Sequence, residues 1–567
     1  ISEIGLRELH GYPYFDALDA CAQTVMASFN SWNGQKLHGY ERLLTDILKK
    51  DMQFDGFVVG DWNGHGQVEG CSNAKCAQSF NAGVDMFMVP ENWKDLLRNT
   101  IRQVKSGEIS EARLNDAVRN ILTVKSRLGL FNGRVPHEFK ENYLGHPKHI
   151  ALARQAVRES LVLLKNNNRL LPLNPKQHIG IIGDAAKKIS SQTGGWTITW
   201  QGRENLNSDF VNVNSIYEAL EKTILSSGGT VEFSNNGKFT KDPDVVIGVF
   251  GEEPYAEMLG DLKDVSFAAT DPKFLPLLEA MNAQSIPTVS IFLSGRPLVV
   301  NRQLNASDAF IAAWLPGSAV EGIADVIFTK DDEIHHDFTG KLSYSWPKTK
   351  DQSVLNFTDS IYDPLFPYGY GLSYSSNIET PRIQITNNDS KLDLVNVFLG
   401  TASIPGKEFI VTKDGPEFVL QDDFVSNNDK IKITRFDYQR QDDAKNVVFK
   451  EDQSLQAFGI SAESHVNLST MKSPFYEIIM RVNSLSNPSL YFSVGCGNNC
   501  RGSIELPTKL MTDWSTINIP LSCLEKDGLD KTKIQVRGLF LSEEEINFDL
   551  NSIVIKDGKL TGKEVSC

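Results

Sequence analysis

The chain is short of basic side chains, of cysteine and of long apolar runs, and each shortage excludes a class of function. Its 57 Lys and Arg face 71 Asp and Glu, a formal net charge of −14. That balance argues against nucleic acid or an anionic membrane as partner and suits neutral ligands. No apolar run reaches the about 20 residues that a membrane-spanning helix needs. No G-x-G-x-x-G is present, so the strand end Ile179-Gly-Ile-Ile-Gly-Asp184 is a weak match to a nucleotide site. No Ser sits in a G-x-S-x-G context, and the 10 His do not cluster at ligand spacing. Neither a metal nor a cofactor is implied.

Seven cysteines are sparse. Cys71 and Cys76, Cys496 and Cys500, and Cys523 and Cys567 stand in polar, loop-like or terminal surroundings, which fits a disulfide-permissive compartment. Half a zinc site at Cys71-x4-Cys76 is the lesser reading, because no second pair with His partners lies nearby. Cys21, between Ala20 and Ala22 on an expected helix, reads as a buried free thiol.

What is present is ordinary globular sequence, 41% apolar and 23% charged, enough for roughly three or four domains at ~150 residues each. Up to about residue 135, short buried strands alternate with amphipathic helices. The strands are Thr24-Val-Met-Ala-Ser28, Phe57-Val-Val59 and Val84-Asp-Met-Phe-Met-Val89. Helices are expected over 40–50, 93–104 and 110–128, so the segment reads as parallel βα units. Three units cannot close a sheet, and a complete (β/α)8 barrel takes about 250 residues. The chain opens Ile1-Ser-Glu-Ile4 without Met. Residues 1–148 are therefore expected to be the C-terminal portion of a barrel, completed by an upstream segment of the same polypeptide.

Residues 149–175 read as a helix and connector, stopped by the prolines of Leu170-Leu-Pro-Leu-Asn-Pro175. A second α/β domain is expected over 176–375. Its strands are Ile179-Gly-Ile-Ile182, Val245-Val-Ile-Gly-Val-Phe250, Thr288-Val-Ser-Ile-Phe-Leu293 and Ala309-Phe-Ile-Ala-Ala-Trp314, with a helix over 215–225. Past it, 376–567 carries short alternating segments such as Ile431-Lys-Ile-Thr-Arg-Phe436 and Leu490-Tyr-Phe-Ser-Val494, punctuated by turns such as Gly497-Asn-Asn499. That pattern predicts a β-sandwich of jelly-roll type. Tyr438 and Trp514 are either exposed platforms there or core.

Three stretches carry chemistry. Gly56-Phe-Val-Val-Gly-Asp61-Trp62 is a buried strand ending in a carboxylate and an indole, where α/β proteins face their ligand crevice. Asp61 either points into that crevice or caps the Asn63-Gly64 turn. The strand 245–250 ends in a loop with Glu252, Glu253, Glu257 and Asp261. Glu252 and Glu253 read as solvated. Glu257, between Ala256 and Met258, is expected half-buried, the setting that lets a carboxyl keep its proton near neutral pH. Gly194-Gly-Trp196-Thr-Ile-Thr-Trp200-Gln-Gly202 pairs two indoles in a polar loop, either as core or as two flat faces gripping a sugar ring. Two carboxylates with aromatic platforms point to glycoside hydrolysis.

Together with Ser31-Trp-Asn-Gly34, Gly83-Val-Asp-Met-Phe-Met-Val-Pro90, Ser160-Leu-Val-Leu-Leu-Lys165, Ser294-Gly-Arg-Pro297, Ala313-Trp-Leu-Pro-Gly317 and Tyr368-Gly-Tyr-Gly-Leu372, these stretches resemble, in order, glycoside hydrolase family 3. The likeness is to its exo-acting β-glucan glucohydrolases and β-glucosidases. The resemblance implies a (β/α)8 barrel, then an (α/β)6 sandwich, with the site between them. It implies Asp61 as nucleophile, Glu257 as general acid/base, Trp196 and Trp200 around the second sugar, and Trp62, Met26 and Phe29 at the first. Phe29 stands where plant-type relatives carry Tyr, and Gln67 where a pocket Arg is common. The remaining pocket residues would lie upstream of Ile1, so this chain alone is expected to be inactive.

The substrate implied is a β-1,3/β-1,4-glucan or oligosaccharide, cleaved from its non-reducing end with retention by carboxyls about 5 to 5.5 Å apart. The location implied is secreted or periplasmic. A β-xylosidase of the same family and a non-catalytic glucan-binding protein are the alternatives. Glu257 speaks against the N-acetylglucosaminidase branch, which uses a His-Asp dyad.

Overall fold

The structure is a computed structural model. It describes every residue except 134–144, 258, 263, 268–273, 386–393, 400–401, 404–406, 420–423, 427–428, 437, 439–443, 451–453, 470, 485, 487, 498–499, 527, 561 and 566–567. The chain divides into two compact units, Ile1–Glu141 and Asn142–Cys567.

In the first unit, two of the three expected strands form. Thr24–Met26 runs parallel to Phe57–Val59, with Met26 opposite Val59. The third is reduced to one parallel bridge, Val59 to Met86. Among the described residues this sheet does not close into a barrel. Residue 85 explains the short third strand, because its side chain serves as an ionic anchor. Asp85 Oδ2 accepts the Val58 N–H at 2.9 Å, its two oxygens bond Lys49 Nζ at 2.9 and 2.8 Å, and Oδ1 bonds Arg113 at 2.8 Å. The expected helices form as Arg42–Asp51, in wide π-type turns, Trp93–Lys105 and Glu111–Arg127. Ser110 caps the last, its hydroxyl accepting the Arg113 N–H at 3.2 Å. Cys71 and Cys76 form a disulfide. Cys21 corrects the expected buried helical thiol. It lies past the helix Tyr12–Asp19, in left-handed backbone (φ 64°), exposed and free.

In the second unit, the described residues hold a six-stranded sheet in the order Val162–Asn166, Ala309–Trp314, Thr288–Leu293, Val245–Gly251, His178–Ile182, Thr230–Phe233. All pairs are parallel except the first. The segment read as a connector thus supplies an edge strand, Val162–Asn166, after the helix Pro147–Ser160. Its residues Val162, Leu163 and Leu164 are buried, and a continuous apolar run is what a sheet covered on both faces requires. The helix Ile216–Ser226 opens on a capping box in which the Ser215 hydroxyl and the Glu218 carboxylate each bond the other's backbone N–H.

Beyond it, two sheets face each other, as the alternating segments predicted, antiparallel except where Ser515–Pro520 pairs with Lys563–Glu564. Among the described residues one has nine strands and the other six. Ile478, Phe492, Phe540, Phe548 and Ile553 are fully buried in the shared core. Lys445 of one sheet meets Glu408 of the other at 2.5 Å, both buried. Tyr438 and Trp514 stack on each other with centroids 3.8 Å apart, and Arg481 lies 5.3 Å from the Trp514 centroid, so these rings engage each other. Cys496 and Cys500 form a disulfide, and Cys523 is also disulfide-bonded; its expected partner Cys567 lies outside the described residues. No described helix is long and apolar enough to cross a membrane.

Candidate active site

Strand pairing in the first unit brings four of the candidate residues to one sheet end. Met26 closes the first strand, and the Ala27 N–H continues its ladder to Val59 O at 2.8 Å. Asp61 follows two residues after Val59 and is half-buried, while Met26 and Trp62 are exposed. One Asp61 oxygen, Oδ1, accepts the Trp62 N–H at 2.7 Å, and the Gly64 N–H bonds the Asp61 carbonyl at 3.1 Å. The carboxylate therefore sits just past the carboxyl end of the strand and also organises its own turn.

The Asp61 N–H, past the last ladder bond, donates to Nε2 of His38 at 2.8 Å. His38 is buried, and that burial pushes its pKa down to about 4. Phe29 lies beside it, ring centroids 5.8 Å apart. His65, also buried and lowered by desolvation, bonds Asn73 O at 2.9 Å.

The second unit assembles the other candidates at a reversal of strand order. From His178–Ile182 the chain passes to Thr230–Phe233 on one side, then to Val245–Gly251 on the other. Ligand crevices of open α/β sheets lie at such a switch point, outside the carboxyl ends of the strands. The indole loop follows the first of these strands and the Glu257 loop follows the other. Trp196 and Trp200 donate their indole N–H groups to the same oxygen, Glu257 Oε2, at 3.0 and 2.7 Å. Their ring centroids are 6.3 Å apart at an interplanar angle of 52°, so the faces are splayed rather than parallel.

Gln201 locks the two loops together. Its Oε1 accepts the Ala256 N–H at 2.8 Å and its Nε2 donates to the Glu257 carbonyl at 3.0 Å. The approach requires glycine at 195, where a Cβ would stand 2.1 Å from the Tyr255 carbonyl oxygen. Arg296 bonds Glu252 at 2.8 Å and covers the Tyr255 ring at 4.2 Å, and Lys188 bonds Glu253 at 2.7 Å. Burial pushes the Tyr255 hydroxyl up to about 12.

Two expectations are corrected here. Glu257 is exposed, because the side chains around it are indole edges presenting N–H groups rather than an apolar wall. Glu252 and Glu253 are ion-paired anchors of the loop rather than solvated residues. Sequence reasoning missed His38, Asp85 and Gln201. The signal available for Gln201 was its polarity beside Trp200, and for Asp85 its place inside an apolar run. Among the described residues, no group of three or more His, Cys, Asp and Glu could hold a metal ion.

The chain matches the N-terminal domain of glycosyl hydrolase family 3 over residues 1–124 and the family's C-terminal domain over 161–374. Residues 408–555 match a galactose-binding domain-like family. A lysosomal beta glucosidase of Dictyostelium discoideum is 30% identical over 394 residues, 63% of this chain and 46% of the relative. A periplasmic beta-glucosidase of Salmonella typhimurium is 28% identical over 426 residues, 64% and 54% respectively. The chain thus spans about half the length of these curated relatives. The solved exo-1,3/1,4-beta-glucanase of a Pseudoalteromonas species is 39% identical, with a TM-score of 0.67, all of this chain and 71% of that one being covered. The ordered motifs, the two domain matches and this likeness agree: the chain belongs to glycosyl hydrolase family 3.

Proposed function

We propose that this chain carries both catalytic carboxylates of an exo-acting, retaining β-glucan glucohydrolase. The observation that carries the reading is the convergence of two indole N–H groups on one oxygen of Glu257, at the switch point of the sheet. An acid/base carboxyl must be aimed, and two donors on one oxygen aim it while the other stays available. In this reading Glu257, protonated, donates to the glycosidic oxygen as Asp61 attacks the anomeric carbon. The C–O bond breaks, the alcohol leaves with the proton, and a glycosyl ester forms on Asp61. Glu257, now a carboxylate, takes a proton from water. The resulting hydroxide equivalent attacks the anomeric carbon and releases Asp61, so two inversions give net retention.

Trp196 and Trp200 would flank the second sugar, and Met26, Phe29 and Trp62 the first. The exo-1,3/1,4-beta-glucanase relative supports glucose release from β-1,3- and β-1,4-glucans. The disulfides, together with the periplasmic relative, support a secreted or periplasmic location. The test is proton NMR of the full-length protein acting on an aryl β-glucoside, whose leaving group carries no anomeric centre. β-Glucose should accumulate first, with the α anomer following by mutarotation. Initial α-glucose, or binding without hydrolysis, would overturn the reading.

A further inference from the structure

We propose that His38 is a positioning residue for Asp61, its Nε2 holding the backbone N–H that sets the direction of the nucleophile. This rests on Asp61 being the nucleophile. The strand ladder ends at Val59, and the next N–H, of Gly60, still reaches Met86 O at 2.8 Å. The Asp61 N–H lies past it and would be orphaned beside a buried turn. An unpaired backbone donor in such a place must find a side-chain acceptor, and His38 supplies it from 23 residues upstream at 2.8 Å.

The imidazole is built in rather than resting nearby. It is 1% exposed. A Cβ on Gly64 would stand 2.4 Å from its Cε1 and Nε2, so the ring lies directly on the turn that follows Asp61. The ring also hydrogen-bonds the Ser28 backbone, which joins the end of the first strand to the end of the second through one ring. An imidazole nitrogen accepts only while it carries no proton. Burial keeps His38 neutral against the Ser28 hydrogen bond, which favours the charged ring, and the Lys36 charge nearby acts with burial. The Trp62 N–H is bonded to Asp61 Oδ1, so two successive peptide donors are committed, one to His38 and one to the carboxylate itself.

The test separates the acceptor from the bulk of the ring. In the full-length protein, His38→Gln places an amide oxygen near the Nε2 position, and His38→Asn reaches only the Nδ1 position. With an activated 2-deoxy-2-fluoro-β-glucoside, the trapping rate of His38→Gln should stay close to wild type. That of His38→Asn should fall by about 10²-fold, the effect of a small misplacement of a reacting group. KM should be similar in both. Equal losses in the two variants, or none in His38→Asn, overturn the positioning role while leaving Asp61 as nucleophile. A wild-type protein labelled elsewhere overturns the assignment of Asp61 and this role with it. Nitrogen-15 NMR of histidine-labelled wild type is independent of how either variant folds. A neutral ring with a bare Nε2 at pH 6 supports the role, and an imidazolium or an Nε2–H tautomer overturns it.

Discussion

Replacing Asp85 by Asn tests whether the sheet end that carries Asp61 is held by ionic anchoring. The carboxylate is fully buried and bonds the Val58 N–H, Lys49 and Arg113, whose side chains are 12% and 14% exposed. Removing one member of a buried ion pair costs about 3–5 kcal/mol, because the remaining charge stays desolvated. Both cations here keep other partners. Lys49 bonds the Gly83 carbonyl at 2.8 Å, and Arg113 bonds the Phe80 and Val84 carbonyls and Asp116. The expected loss is therefore at the lower end, ~3 kcal/mol, or a fall of about 10 °C in the melting transition of a unit this size.

The loss should also depend on pH. Burial holds Lys49 below its ordinary 10.5, and without Asp85 it drops further. Where the folded lysine has shed its proton and the unfolded one has not, stability rises with pH. The gap between Asp85→Asn and wild type should consequently narrow from pH 7 toward pH 10. Differential scanning calorimetry of the full-length pair at both values is the assay. A melting shift below about 2 °C, or a gap that widens at high pH, would refute the reasoning.

Two further outcomes are expected. His38 is neutral in the fold down to about pH 4, whereas an unfolded histidine protonates near 6.5. Between those values the unfolded chain binds more protons, so acidification removes up to about 3 kcal/mol of stability. His38→Gln should lose less than wild type between pH 7 and 4.5, and parallel melting curves would contradict this. Trp200→Phe keeps a ring but removes the 2.7 Å bond to Glu257. A charge-assisted bond is worth about 1.5–3 kcal/mol when buried, and Glu257 is exposed, so a loss of roughly 10-fold in kcat is expected. Trp196→Phe, on a ring 71% exposed, should lose less. The reverse order would show that the indole faces, not their N–H groups, set the rate.

The sequence made legible what repeats along the chain. Buried runs at 57–59, 245–250 and 288–293 announced strands, and the capping residues Ser110 and Ser215 fell where helices begin. Asp61 stood out because it follows such a run, and Glu257 because it lies between Ala256 and Met258 in the loop after another. Periodicity does not record which side chain reaches across the fold. His38 and Asp61 are 23 residues apart, Lys49 and Asp85 36, and Trp200 and Glu257 57. The same blindness made 162–166 a connector and 84–89 a strand. Apolar content was right in both, but pairing decided the first and a buried carboxylate the second. Glu257 was expected behind an apolar wall because its neighbours are Ala256 and Met258, whereas its surroundings come from a different loop.

The central claim is that Asp61 is the catalytic nucleophile, and trapping tests it most directly. The full-length protein is incubated with an activated 2-deoxy-2-fluoro-β-glucoside, digested, and the labelled peptide located by mass spectrometry. A single fluoroglucosyl ester on the peptide containing Asp61, lost in Asp61→Asn, is the predicted result. A label on another carboxylate, or none from folded protein that still binds glucan, would contradict the account.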